Sequence, residues 1–291
     1  MIRALSIRSN SGASAASRAL VNVTQDVHGS VGRLSSGLRV QSSSDDSAAL
    51  AVAENMRAHK AGVGMAIRNA TAAVAMLQTA ESGLATIGDL KVRMRELAVQ
   101  SASDGISDDE RALLNTEYVT LREEIERVAG ATEYNGQGLL GADGGHAGGI
   151  VDADGDPASR FVFQIGFQNS GDDQLTVDIK TGVIDQVETS SIESVANAQA
   201  AIDSIDLALN ASNGHLSERA NIGAHLKRLY TAIAGLQAQA QNFETAVGQK
   251  RDADLGDESM EFNKSQVLQN AGVAMLSQAN AQQNVALRLL G

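Results

Sequence analysis

Residues 222–247 read IGAHLKRLYTAIAGLQAQAQNFETAV, with no Pro and with apolar side chains at alternating steps of four and three. Ile222, Leu226, Leu229, Ile233, Leu236, Ala240, Phe243 and Val247 then lie along one narrow stripe of an α-helix, the arrangement of a coiled-coil seam. At 1.5 Å per residue such a helix is about 39 Å long, more than one compact core can cover. The residues between the stripe positions are mostly Ala, Gln, Thr and charged types, so the helix needs partners of similar length. The fold class that follows is mainly α: a long antiparallel helical bundle or coiled coil.

The remaining chain supplies those partners. Ala73, Leu77, Ala80, Leu84, Ile87, Leu90, Met94 and Leu97 repeat the period within an expected helix from about 47 to 100, adjusted near Gly62 and Gly64. Ser107 and Glu110 have capping-box spacing, and Leu114, Tyr118, Leu121, Ile125 and Val128 form the stripe of a third helix ending near Gly130. Asn135-Gly136 marks a tight turn beyond it. Val195, Ala198, Ile202, Ile205 and Leu209 mark a further helix before a break at Ser212-Asn213-Gly214.

The middle differs. Residues 141–156 are rich in Gly and Asp and read as an exposed loop. Phe161, Phe163, Ile165 and Phe167 then alternate with other residues, as do Leu175, Val177 and Ile179, which predicts a β-hairpin with one face against the helices.

Both ends of the chain carry weaker stripes. Ala13, Ala16, Leu20, Val23, Val27, Val31, Leu34 and Leu38 run through a segment loosened by Gly12, Gly29, Gly32 and Gly37. Each glycine costs up to about 1 kcal/mol relative to Ala in a helix, so this segment needs a surface to fold against. Leu268, Gly272, Met275, Ala279, Gln282, Ala286 and Leu289 form the corresponding stripe at the C-terminus. Complementary stripes at both ends are expected to pair, or to join equivalent tails of other copies, which is the design of a polymer subunit. The expected divisions are 1–44 as an N-terminal tail helix, 45–250 as the bundle with its hairpin region at about 140–189, and 251–291 as a C-terminal tail helix.

Composition narrows the function. The 291 residues carry a formal net charge of −12, with no Cys and no Trp. An acidic chain is a poor match for nucleic acid, whose phosphates call for clustered Lys and Arg. The absence of Cys excludes disulfides and thiolate metal sites. No run approaches the roughly 18 apolar residues of a membrane span, and the first sixteen residues lack the apolar block of a cleavable signal peptide.

No catalytic or metal constellation emerges. Asp152, Asp154 and Asp156 begin like a calcium loop, but Pro157 stands where that loop needs Gly and Phe163 where it needs a bidentate Glu. His146 reads as loop filling, and His28, His59, His215 and His225 are scattered without a His-Glu-x-x-His spacing. The expectation is a non-enzymatic protein with no cofactor.

Several blocks carry a family resemblance. They are Leu34-Ser35-Ser36-Gly37-Leu38-Arg39-Val40 with Asp45-Asp46, Arg95-Glu96-Leu97-Ala98-Val99-Gln100-Ser101-Ala102, and Thr132-Glu133-Tyr134-Asn135-Gly136. Toward the C-terminus come Arg219-Ala220-Asn221-Ile222-Gly223-Ala224, Arg251-Asp252-Ala253-Asp254 and Met275-Leu276-Ser277-Gln278-Ala279-Asn280. With these the chain resembles bacterial flagellin, in a short form whose middle holds no large outer domain. The resemblance implies a subunit that polymerises with itself into the flagellar filament for swimming motility. The paired tails would line an inner tube inside a layer of helical bundles.

It further implies export through the flagellar secretion apparatus with an export chaperone, contact with hook-associated and cap proteins, and a filament outside the cell or in a periplasm. Subunit packing would fall on Leu20, Val23, Val27, Leu34, Leu97, Leu268, Met275, Ala279 and Leu289. A host innate immune receptor would read Arg93, Leu97 and Glu117. A hook–filament junction protein of the same apparatus, or a coiled-coil adaptor, is the alternative.

Overall fold

The computed structural model describes residues 10–140, 158–180, 191–210 and 214–290. Among them are six α-helices: α1 (Ser11–Ser36), α2 (Ser47–Ser101), α3 (Asp108–Ala131), α4 (Val195–Asn210), α5 (His215–Arg251) and α6 (Leu255–Leu290). Two antiparallel hairpins pair β1 (Glu133–Tyr134) with β2 (Gln137–Gly138) and β3 (Ala158–Gln164) with β4 (Gln174–Lys180). The fold is mainly helical, as the periodicity requires. The expected loop at 141–156, with Asp152, Asp154, Asp156 and His146, lies outside the described residues.

Local chemistry sets the helix ends. The Asn10 side chain accepts from the Ala13 N–H at 2.8 Å, and Gly37, at φ 72°, closes α1 with its N–H on the Arg33 carbonyl. Asp46 caps α2 through the Ala49 N–H at 2.9 Å. Ser107 and Glu110 form the reciprocal capping box at the start of α3. Asn135 and Gly136 both have positive φ, 53° and 76°, which fits a two-residue turn joining β1 to β2.

Gly62 and Gly64 do not disturb α2, contrary to the expected adjustment. A Cβ on Gly62 would sit 2.9 Å from that of Phe167, so this glycine admits the hairpin connection against the helix. β3 stops at Gln164, earlier than the alternation suggested, and Ile165 and Phe167 belong to the connection to β4.

The chain forms two compact units, Met1–His59 with Asn242–Gly291, and Lys60–Gln241. In the first, α1 and α6 lie antiparallel. Asn10 Nδ2 donates to the Ala279 carbonyl at 3.2 Å, Gln269 Nε2 to Thr24 Oγ1 at 3.3 Å, and Arg33 pairs with Glu258 at 2.8 Å. A Cβ on Gly272 would come within 3.2 Å of Leu20 Cδ1, so the backbones approach closely there. Beyond α1, Arg39 N–H donates to the Arg251 carbonyl and Ala253 N–H to the Gly37 carbonyl, tying the first interhelical turn to the α5–α6 junction. Arg251 also reaches Glu54 at 2.8 Å.

The second unit has one continuous core. Leu77, Leu84, Ile87, Met94 and Leu97 of α2 meet Tyr118 and Ile125 of α3, Ile205 of α4, Ile222 and Leu229 of α5, and Phe161, Val177 and Ile179 of the hairpin. Asn69 Nδ2 donates to the Gln164 carbonyl and holds the hairpin on α2. Arg219 grips Glu81 through two nitrogens at 2.7 and 2.8 Å. The seam of α5 behaves as its spacing predicts: Ile222, Leu229 and Leu236 are buried, with Leu226 and Ile233 partly so.

Candidate assembly surface

In the first unit the covered side of α6 is Glu258, Phe262, Ser265, Gln269, Gly272, Leu276 and Ala279. These positions step by four and three throughout, a coiled-coil seam built largely from small and polar residues. Phe262 and Leu276 apart, the larger described apolar side chains of α6 point elsewhere. Met260, Val267, Leu268 and Met275 are exposed, Val267 by 67% and Met275 by 66%. At 3.6 residues per turn these four fall within a sector of about 100°, away from the seam, while the exposed Leu255 and Val273 lie outside that sector. On α1, Leu20, Val23, Val27 and Leu34 are half-buried, whereas Val21 and Val31 are exposed.

The stripe expected on α6 therefore divides. Gly272 and Ala279 face α1, and Leu268 and Met275 do not. Val31 likewise leaves the α1 stripe. Counting apolar residues at helical spacing misses this because the true seam admits Ser265 and Gln269. Leu289 lies beyond the residues whose side chains are described.

Leu97 requires a correction. It is 1% exposed inside the chain's own core, so it cannot be offered to a neighbouring copy or to a receptor while this unit is folded. The residues around it are accessible. Arg93 bridges Glu117 at 2.8 Å and Glu96 at 3.0 Å, and Arg95 holds Asp206 at 2.6 Å. These bonds to carboxylates raise the pKa of both arginines, and the Arg95 guanidinium holds the Asp206 carboxyl below its ordinary range. Such exposed pairs are screened by solvent and add little to stability.

Two buried polar features are invisible to motif reading. Arg111 lies under the turn between α2 and α3 and donates to the carbonyls of Ser101, Ser103 and Ile106. His215 is buried beside Gly88, and neither ring nitrogen has a hydrogen-bond partner. Desolvation, with the charges of Lys91 and Arg219 nearby, lowers its pKa to about 4. Lys91 is itself buried, which pulls its amine down to about 8. Among the described residues no group of three or more His, Asp or Glu is placed to hold a metal. No described helix is long and apolar enough to cross a membrane.

What the geometry offers is helical surface left uncovered among the described residues. Comparison with known proteins gives it a context. The bacterial flagellin N-terminal helical region matches residues 7–143, and the bacterial flagellin C-terminal helical region matches residues 202–290. A flagellin of Halalkalibacterium halodurans is 37% identical over 263 residues, 89% of each chain. The chain belongs to the bacterial flagellin family.

Flagellin FlaB2 of Treponema pallidum is 32% identical over 98% of this chain and 99% of its own. The crystal structure of Bacillus cereus flagellin aligns with 58% of this chain and 88% of its own, at 26% identity and a TM-score of 0.46. Relatives described as flagellins and flagellar filament core proteins span nearly the whole length. This flagellin is accordingly a structural subunit that polymerises with itself into the flagellar filament, in a short form.

Proposed function

We propose that the α1–α6 pair is the polymerising element, and that the exposed sector of α6 is its contact with neighbouring copies. The observation that carries this is the grouping of Met260, Val267, Leu268 and Met275 in one exposed sector of a helix whose seam is already covered by α1. Burying one such side chain fully contributes about 1.5–3 kcal/mol, and every subunit repeats the contact. Leu20, Val23, Val27, Leu34 and Ala279 act indirectly, by holding α1 to α6. The tails 1–44 and 251–291 then serve as the polymerising part of the subunit, and 45–250 as its helical bundle.

The same sector would be adhesive before assembly. An export chaperone covering α6, passage through the flagellar secretion apparatus, and a filament outside the cell capped by hook-associated and cap proteins all fit that chemistry. A host innate immune receptor would meet Arg93 and Glu117, with Leu97 acting only through the packing beneath them.

Val267→Lys combined with Met275→Lys tests the proposal. Both side chains are solvent-exposed in the single chain, so the monomer's melt should stay within about 0.5 kcal/mol of the parent. Filaments should be absent by electron microscopy at concentrations where the parent polymerises. Ordinary filaments from the double variant would move the contact elsewhere.

A further inference from the structure

The second unit carries a groove that the coiled-coil core does not explain. It measures about 600 Å³ and is lined by Ile165 and Leu175 of the hairpin region and by Ala224, Lys227, Arg228, Thr231 and Ala232 of α5. Its floor is apolar. Lys227 and Arg228 are part of its lining, and among the described residues neither has an ion-pair partner.

The same unit carries a projection of matching chemistry. Leu113 on α3 is 73% exposed, the most exposed large hydrophobic among the described residues. Asp109, one turn before it, is exposed and makes no ion pair among the described residues. One leucine beside a carboxylate fits an apolar floor beside two cations.

The projection cannot enter its own groove. α3 runs antiparallel to α2 with Glu117 against Arg93, which puts Leu113 beyond Arg93 along α2. The groove lies at the level of Gln78, whose Nε2 donates to Tyr230 Oη. Gln78 to Arg93 is fifteen residues of α2, about 22 Å. We propose that the groove formed by Ile165, Leu175, Lys227 and Arg228 receives Leu113 and Asp109 of a second copy of this chain, as a heterologous contact between bundle units. Groove and projection are different surfaces, so the contact leaves one of each open at either end and propagates into an open array. It rests on the filament reading and adds a second point of attachment to that on α6.

The chain has no Cys, which makes cross-linking selective. Leu113→Cys and Thr231→Cys, made separately, mixed and polymerised, are treated with a short bis-maleimide. The expected product is a covalent dimer between the two variants that forms in filaments and not in dilute monomer. Leu113→Ala should raise the critical concentration about tenfold while leaving the monomer melt unchanged. Lys227→Glu with Arg228→Glu should weaken assembly, and adding Asp109→Lys should restore part of it.

Filaments that form normally from every charge variant and give no cross-linked dimer would overturn this contact and leave the filament reading intact. A Thr231→Cys monomer that resists maleimide in dilute solution would also overturn it, because the chain's own residues would then fill the groove. Failure of the unaltered protein to form filaments would remove the reading on which the contact rests.

Discussion

Replacing Leu97 by Asp separates a core role from a surface role. Leu97 is 1% exposed and belongs to the cluster that joins α2, α3 and α4. Truncating a buried Leu to Ala alone costs about 2–5 kcal/mol, through lost transfer energy and the cavity left behind. Aspartate adds the burial of a carboxylate. Either it stays charged in an apolar site, or it takes up a proton and still lacks partners, and each outcome costs several kcal/mol more. The sum rivals the whole stability of an ordinary domain, about 5–15 kcal/mol.

Leu97→Asp should therefore melt at low temperature or lack a cooperative transition, as followed by circular dichroism in dilute monomer. Val99→Asp, two residues on and exposed, should melt within about 0.5 kcal/mol of the parent. A Leu97→Asp monomer with native helix content and an unshifted melt, failing only in polymerisation, would refute the burial and return Leu97 to a contact between subunits.

Three further outcomes are expected. The His215 pKa is lowered to about 4 in the fold, against about 6.5 for a free imidazole, so the unfolded chain binds its proton first as pH falls. Its contribution is complete above about pH 6.5 and declines toward pH 4 by roughly 3 kcal/mol, and urea melts of His215→Leu should lack that slope. Gly88→Ala places a Cβ 2.6 Å from His215 Nε2 and should cost about 1–3 kcal/mol by overpacking. The melt of Gly88→Ala should be partly restored by His215→Ala in the same chain. Ser107→Ala removes the cap of α3 and should cost about 1 kcal/mol in the same assay, with no effect expected from Ser103→Ala as a nearby control.

Periodicity revealed most of the bundle because its seams are apolar and regular. Ile222 through Val247, Ala73 through Leu97 and Leu114 through Val128 all keep their expected sides inward. The same rule failed on α6. There the seam toward α1 uses Ser265, Gln269 and Gly272, while Val267 and Met275 face out, and a scale that ranks residues by hydrophobicity selects the wrong side. Leu97 fell between two readings, since a seam position and a block that resembles the family suggested different neighbours. Only packing decides that, as it does for His215 and Arg111, whose partners depend on how distant segments meet. The groove beside Lys227 and Arg228 needed the hairpin placed on α5 before it existed at all.

The pairing of α1 with α6 joins residues as far apart as Asn10 and Ala279, a separation of 269 positions. Contacts of that range close the largest loops a chain can make and are the slowest to gather. No fragment lacking either end contains this seam, whichever end emerges first from a ribosome or a secretion channel. If the α1–α6 pair is the polymerising element, as proposed, competence for assembly tests for the presence of both ends: a product truncated at either one can build its bundle yet lacks the two-helix joint. On that proposal, length control and assembly control become one event, set by the distance along the chain between the two strips that must meet.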